Sequence, residues 1–395
     1  MISTALIIER TFTALGGAER SIAELADELA NQGIGVRILA AAGQHAQNCT
    51  VLCTDNPHRR TSFHTFAKTL RTHLSKNHYD IVHSTLPFDF ADIYQPRGGS
   101  CKEAMLQNAA SFSNPAIRCW KRCTHFLNFR RTALLRAEEK LCSQNNNVII
   151  AALSDYVRRQ FIRHYHLPPE RIAVIPNGVD VRRLAEPADA AAFRKNILEK
   201  IPAHCRENTV LFLFAANNFR LKGLRELLLA FAKTVGIDQS LHPILVVAGS
   251  DDIRPYSTMA KRISIADRII FTGALASVQN ALAACDVAVL PSWYDPSSRF
   301  TLEALALAKP VITSRFNGAA EQFQSGRHGI VIDSPAHIPA LAEAIGSLCH
   351  PQTRTAYTEA IVADNLKEKV SIARHVGQLR KVYDIILAQK KGTVG

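Results

Sequence analysis

Short apolar runs alternate with helical periodicities along nearly all of the 395 residues, and this alternation restricts the fold more than any other feature. STALII (3–8) reads as a short buried strand, LGGAER turns the chain, and SIAELADELANQG repeats apolar residues at helical spacing before stopping on Gly33. GVRILAA then begins another strand. Strand, glycine turn, helix, strand is a βαβ unit, which demands a parallel sheet. YDIVHS (79–84), NNNVIIAALS (145–154) and RIAVIPNGVD (171–180) extend the pattern.

A second series begins at NTVLFLFAANN (208–218) and continues through KGLRELLLAFAKTV, HPILVVAGS, RIIFTG, SVQNALAACD, VAVLPS, TLEALALAKP, PVITS and HGIVID. The stretch 181–207 between the two series is rich in Ala, Pro and charge. The fold class is therefore α/β, with two Rossmann-like, doubly wound parallel-sheet domains, 1–185 and 186–365, followed by a helical tail, 366–395. Pattern alone does not place the tail. Open α/β sheets bind ligands beyond the carboxyl ends of their strands, so two such sheets facing one another would form one cleft. Gly16, His83, Ser154, Asn177, Arg220, Gly249, Ser292 and Asp295 all fall at such ends.

Charge narrows the partners. The formal net charge is +13, and residues 97–140 carry nine Lys or Arg against three acids, with Phe112, Trp120, Phe126 and Phe129 among them. Such a segment suits an anionic membrane surface, and equally forms a solvated helix face. No nucleic-acid module accompanies it. Nine scattered cysteines argue against a disulfide framework, and the CxxxC pairs Cys49/Cys53 and Cys119/Cys123 lack the tighter spacing of zinc knuckles. MISTALIIERTF has no basic flank before its short apolar run, so no secretory leader is expected. The expected location is cytoplasmic, or peripheral on the inner face of the plasma membrane.

Three stretches carry chemistry. Gly16 and Gly17 in LGGAER suit a phosphate at a helix N-terminus, and equally make a plain tight turn. In NNFRLKG (217–223), Arg220 and Lys222 precede a helix, where cations can neutralise a diphosphate. In PSWYDPSSRFTLEALALAKP (291–310) a proline-stiffened loop becomes a helix, setting Asp295, Ser297, Ser298 and Glu303 at the junction. A carboxylate there either favours the helix dipole or accepts both hydroxyls of a ribose diol.

YDPSSRFTLEALALAKPVITSRFNGAAE resembles the donor-binding signature of the retaining GT-B glycosyltransferases of family 4. LGGAER, IPNGVD, NFRLKG, VVAGS, FTG and LPSWYDP extend the resemblance over nearly the whole chain. The family pattern is a carboxylate, seven residues, then Glu; here it reads Asp295 and Glu303, with Asp in place of the usual first Glu. DIVHSTLPFDFADIYQPRGGS is similar to the acceptor-side loop of lipopolysaccharide core glucosyltransferases, which marks Arg97, Gly98 and Gly99.

The resemblance implies a GT-B fold whose C-terminal helix returns to the N-terminal domain. It implies that Gly16 and Gly17 line the cleft, Arg220 and Lys222 bind the diphosphate, and Glu303 holds the ribose. Asp295 would contact the transferred sugar, the amides of Ser297 and Ser298 the phosphates, with Gly249 and Ser292 beside them; His83 would lie near the reacting centre. The implied reaction moves a hexose, glucose from UDP-glucose, to a glycolipid or oligosaccharide acceptor. The chain contains no DxD, so no metal or other cofactor is expected. The competing expectations are a non-hydrolysing nucleotide-sugar epimerase of the same fold and a basic nucleic-acid-binding α/β protein.

Overall fold

The computed structural model describes residues 2–11, 17–56, 61–124, 128–143, 146–182, 184, 187–203, 206, 208–237 and 242–392. The chain forms two compact units: residues 1–109, 114–178 and 372–395, and residues 110–113 and 179–371.

The first unit holds β1 (Ser3–Arg10), β2 (Gly35–Ala42), β3 (Cys49–Thr54), β4 (Ile81–Ser84), β5 (Ile93–Tyr94), β6 (Ile149–Ala152) and β7 (Ile172–Val174). They lie in the order β3-β2-β1-β4-β5-β6-β7, every pair parallel. Both faces of β1 are covered, which is why its centre shows no polar alternation. Leu6 and Ile8 pack with Leu25 and Leu29 of the helix Gly17–Asn31 and with Val376, Leu379 and Tyr383 of the helix Ile372–Gly392. Ala5 and Ile7, on the other face, pack with Phe66 and Leu70 of the helix Phe63–Leu74.

The second unit holds β8 (Thr209–Ala215), β9 (His242–Ala248), β10 (Ile269–Gly273), β11 (Val287–Leu290), β12 (Val311–Ser314) and β13 (Gly329–Ile332). Their order is β10-β9-β8-β11-β12-β13, again all parallel. Strand order reverses between β1 and β4 in one sheet and between β8 and β11 in the other. Loops that leave such a switch point diverge and open a crevice for ligands.

Besides the short excursion at 110–113, the chain passes between units at residues 178/179 and 371/372, whereas the sequence pattern set 185/186 and 365/366. The Val179 N–H donates to the Val370 carbonyl at 2.9 Å, and Val179 bridges to Ser371. That pairing binds both connections to the second unit. No described helix is long and apolar enough to cross a membrane.

Candidate functional site

The loops after β8 and β11 meet at the second unit's switch point. Gly223 has φ +81°, and a Cβ on it would overlap the Pro291 carbonyl oxygen. Only glycine combines that left-handed backbone with so close an approach. The Trp293 N–H donates to the Leu221 carbonyl at 2.9 Å, fastening the loops together. Lys222 thereby reaches across: its Nζ donates to the Tyr294 carbonyl at 2.9 Å and to Asp295 Oδ2 at 2.7 Å. The Lys222 and Asp295 side chains are only 20% and 14% exposed, so the pair is shielded from bulk water. The Asp295 backbone is pinned as well, donating to the Phe316 carbonyl and accepting from the Gly318 N–H, both at 2.9 Å.

Ser298 caps the helix Arg299–Ala306, its Oγ accepting from the Thr301 N–H at 3.3 Å. The amides of Ser297 and Ser298, expected to face phosphates, are engaged internally. Ser297 N–H donates to Asp295 Oδ1 at 3.2 Å, and Ser298 N–H to Asn317 Oδ1 at 3.1 Å. The reason is local: Asp295 folds back over its own loop as an Asx turn does, and a buried Asn317 replaces solvent at the helix start. Asn317 Nδ2 in turn donates to Thr301 Oγ1 and Thr313 Oγ1 at 3.0 and 2.9 Å, tying β12 to the helix.

Glu303, 2% exposed, lies one turn into that helix. Arg299 Nε and Gln279 Nε2 both donate to its Oε1, at 2.7 and 2.8 Å. Two donors on one oxygen fix the carboxylate plane, and the Arg299 charge offsets its burial. Arg299, Gln279 and Asn317 escaped the sequence reading. The four-residue step from Arg299 to Glu303 was a usable signal; the partners from other elements gave none. Gly249, at φ +145°, turns so close beneath the 216–219 loop that a Cβ would overlap the Ala216 carbonyl oxygen. Ser292 is fully buried at the end of β11, and its Oγ has no hydrogen-bond partner among the described residues. Arg220 stacks over the Phe112 ring at 3.7 Å and donates to Ser111 Oγ, both from the 110–113 segment of the same unit.

The remaining expected residues belong to the first unit. Gly16 lies outside the described residues, and Gly17 opens the helix Gly17–Asn31. His83 is fully buried: its Nδ1 pairs with the Tyr383 hydroxyl at 2.7 Å. Burial first, then the charges of Arg97 and His375, push its pKa down to about 3. The ring thus sits inside the core at the end of β4, with Nδ1 committed to Tyr383. The sequence could not show Tyr383, 300 residues away, covering the strand end. Arg97 Nη1 donates to Ser21 Oγ at 3.0 Å and to Asn177 Oδ1 at 2.9 Å. Gly98 is exposed, and Gly99 closes a turn at φ +69°, its N–H on the Pro96 carbonyl. Ser154 caps the helix Asp155–Tyr165. Among the described residues no group of three or more His, Cys, Asp or Glu is placed to hold a metal ion. Cys49, Cys53, Cys119 and Cys123 are free thiols.

Residues 15–183 match the family described as Glycosyltransferase Family 4, and residues 207–350 match Glycosyl transferases group 1. The lipopolysaccharide glucosyltransferase WaaG of Escherichia coli K12 is 23% identical over 358 residues, covering 87% of this chain and 89% of that protein. The crystal structure of WaaG, a glycosyltransferase involved in lipopolysaccharide biosynthesis, superposes with a TM-score of 0.74 at 20% identity, over 97% of this chain and 99% of that one. Anabaena HepE in complex with UDP-glucose superposes with a TM-score of 0.71 at 17% identity, over 97% and 100% of the two chains.

Proposed function

The chain belongs to the family 4/group 1 glycosyltransferases, with the two-domain GT-B fold, and from that premise we propose that it transfers glucose from UDP-glucose to a hydroxyl of a lipopolysaccharide core acceptor, with retention and without a metal. The observation that carries the donor assignment is the Lys222–Asp295 pair at the switch point, with the clamped Glu303 on the adjoining helix. Glu303 takes the ribose diol, and Asp295 takes hydroxyls of the transferred sugar. Lys222 leaves the Tyr294 carbonyl and answers the diphosphate, joined by Arg220. Asp is one methylene shorter than Glu, a loss of ~1.5 Å of reach. The 2.7 Å contact of Asp295 with Lys222 gives that shorter side chain a fixed direction. As the anomeric C–O bond to the diphosphate breaks, the acceptor oxygen adds on the same face, and its proton passes to the departing phosphate oxygen. Charge gathers on that phosphate, where preorganised cations act most strongly.

The resemblance to WaaG, together with HepE's UDP-glucose complex, supports this choice of donor and acceptor. The cationic segment 97–140 is proposed to rest on an anionic membrane surface, which places the work on the inner face of the plasma membrane. Thermal-shift screening against UDP-, GDP- and ADP-sugars is the first test, since a ligand bound only by the folded form raises the melting temperature. UDP-glucose is expected to raise it most; no shift with any of the three overturns the reading. Turnover with core acceptor in excess EDTA then checks metal independence. UDP-glucose incubated alone must not yield epimer and free UDP.

A further inference from the structure

A groove of about 810 Å³ runs through the first unit, between the helices Phe63–Leu74 and Phe129–Leu141, with residues 87–90 as its floor. Its origin is visible in the helix periodicity. Phe129, Thr132, Ala133, Arg136, Ala137 and Lys140 lie at steps of three and four and line one wall. The opposite stripe of that helix is committed elsewhere: Leu141 is buried, and the fully buried Glu138 accepts from the Tyr94 hydroxyl and the Cys101 N–H. The other helix behaves alike, burying Phe66 and Leu70 and leaving Phe63, Ala67 and Arg71 to the groove.

The surface so formed is aromatic at the floor and cationic at the rim. Phe63 stacks on Phe88 at 4.8 Å, and Phe88 on Phe90 at 5.1 Å. Asp89 joins Arg71 and Lys140, each at 2.6 Å, and closes one end. Arg136 is exposed and makes no hydrogen bond or ion pair with the described residues. Phe129, at the mouth, is 88% exposed. A groove in the 300–1,000 Å³ range, apolar inside with a few charges at its edge, has the make-up of a small-molecule site. An apolar interior with Arg136 at its rim suits a hydrocarbon chain that ends in an anionic head such as a phosphate.

We propose that this groove seats a single acyl chain of an anionic phospholipid, its phosphate on Arg136 with Lys140 and Arg71 beside it. The proposal deepens the reading of a membrane-facing surface, and a lipid presented as a monomer separates the two. Radiolabelled 1-myristoyl-lysophosphatidate below its critical micelle concentration offers no bilayer for a cationic patch to rest on. Equilibrium dialysis is expected to show saturable binding of one lipid per chain. Filling the groove with Ala133→Trp, or from the facing helix with Ala67→Trp, should weaken binding at least about tenfold, roughly 1.4 kcal/mol. Arg136→Glu should weaken it several-fold, and uncharged 1-myristoylglycerol should bind the native protein with a similar deficit. The UDP-glucose thermal shift should persist in each variant and certifies its fold independently of the lipid. No binding by the native protein, native-strength binding by both tryptophan variants, or full competition by glycerol phosphate would each overturn the groove assignment. Vesicle binding that survives both fillings does not rescue it, because that adhesion belongs to the outer surface alone.

Discussion

The Lys222–Asp295 pair is where the proposed donor site is most exposed to test, and two substitutions separate its proposed roles. Lys222→Ala removes the cation proposed to meet the diphosphate. Loss of one preorganised donor to a developing charge costs about 2.7–4 kcal/mol of barrier, so kcat should fall about 10²–10³-fold. Folding should persist, because Asp295 keeps the Ser297 N–H on Oδ1 and its backbone keeps Phe316 and Gly318. Circular dichroism alongside steady-state kinetics decides the matter: unchanged kcat removes Lys222 from the mechanism. Gly223→Ala acts on the same site through sterics alone. The left-handed backbone at φ +81° costs a Cβ-bearing residue about 1–2 kcal/mol, and the new carbon meets the Pro291 carbonyl. The loop must retreat, drawing Lys222 from Asp295. A lower melting temperature with a shrunken UDP-glucose shift is expected; a native shift would show that the loop contact does not position Lys222.

Elements, by contrast, differ in how openly the sequence declares them. β8, β9 and β11 are legible because buried parallel strands are continuous apolar runs, and VLFLF or ILVV permits little else. β3, CTVLCT, is hard to read: it is short, at the sheet edge, and its threonines and cysteines interrupt the apolar run. The helix Phe63–Leu74 is hard to read too, since FHTFAKTLRTHL spreads its apolar positions among threonines and basic residues. The candidate loop 291–298 was legible because its residues are adjacent in sequence; the partners of His83 were not, because Tyr383 and His375 arrive on a helix from the far end of the chain. That buried cluster has a consequence of its own. His375 Nδ1 donates to the Pro176 carbonyl at 2.7 Å, and burial followed by Arg97 pushes its pKa down to about 3, as for His83. Both rings are therefore neutral in the folded unit, whereas the unfolded chain binds protons below about pH 6.5. Stability is complete above that pH and falls as pH drops toward 3, with a limiting slope of about 1.4 kcal/mol per unit for each ring. Urea denaturation at pH 7.5, 6 and 5 should show this decline, and His83→Gln with His375→Gln should flatten it. An equal slope in the double variant would place the proton uptake elsewhere.

At the scale of the molecule, a formal charge of +13 keeps the chain away from other cationic surfaces and draws it toward anionic ones. The structure sorts the charges of the 97–140 segment. Lys140 pairs with Asp89 and Arg130 with Glu9, while Lys121, Arg122, Arg131 and Arg136 are exposed. The helix Pro115–Cys123 buries none of its residues, and Trp120 and Ile117 are 56% and 39% exposed. Phe126, grouped with them in the sequence, lies outside the described residues. Each cation close to an anionic bilayer contributes about 1 kcal/mol, so four such side chains supply about 4 kcal/mol, near a thousandfold in partition. That attraction reaches about 10 Å in 0.1 M salt and about 3 Å in 1 M. The apolar contribution of Trp120 and Ile117 is not screened. Sedimentation with phosphatidylglycerol vesicles should therefore be strong in 0.1 M salt and fall by about two orders of magnitude in 1 M, leaving a weak residue. Phosphatidylcholine vesicles should show only that residue at either salt. Lys121→Glu with Arg122→Glu should bring the first case down to the second. Equal binding to neutral and anionic vesicles at low salt would mean that the charge of this segment does no more than keep it hydrated.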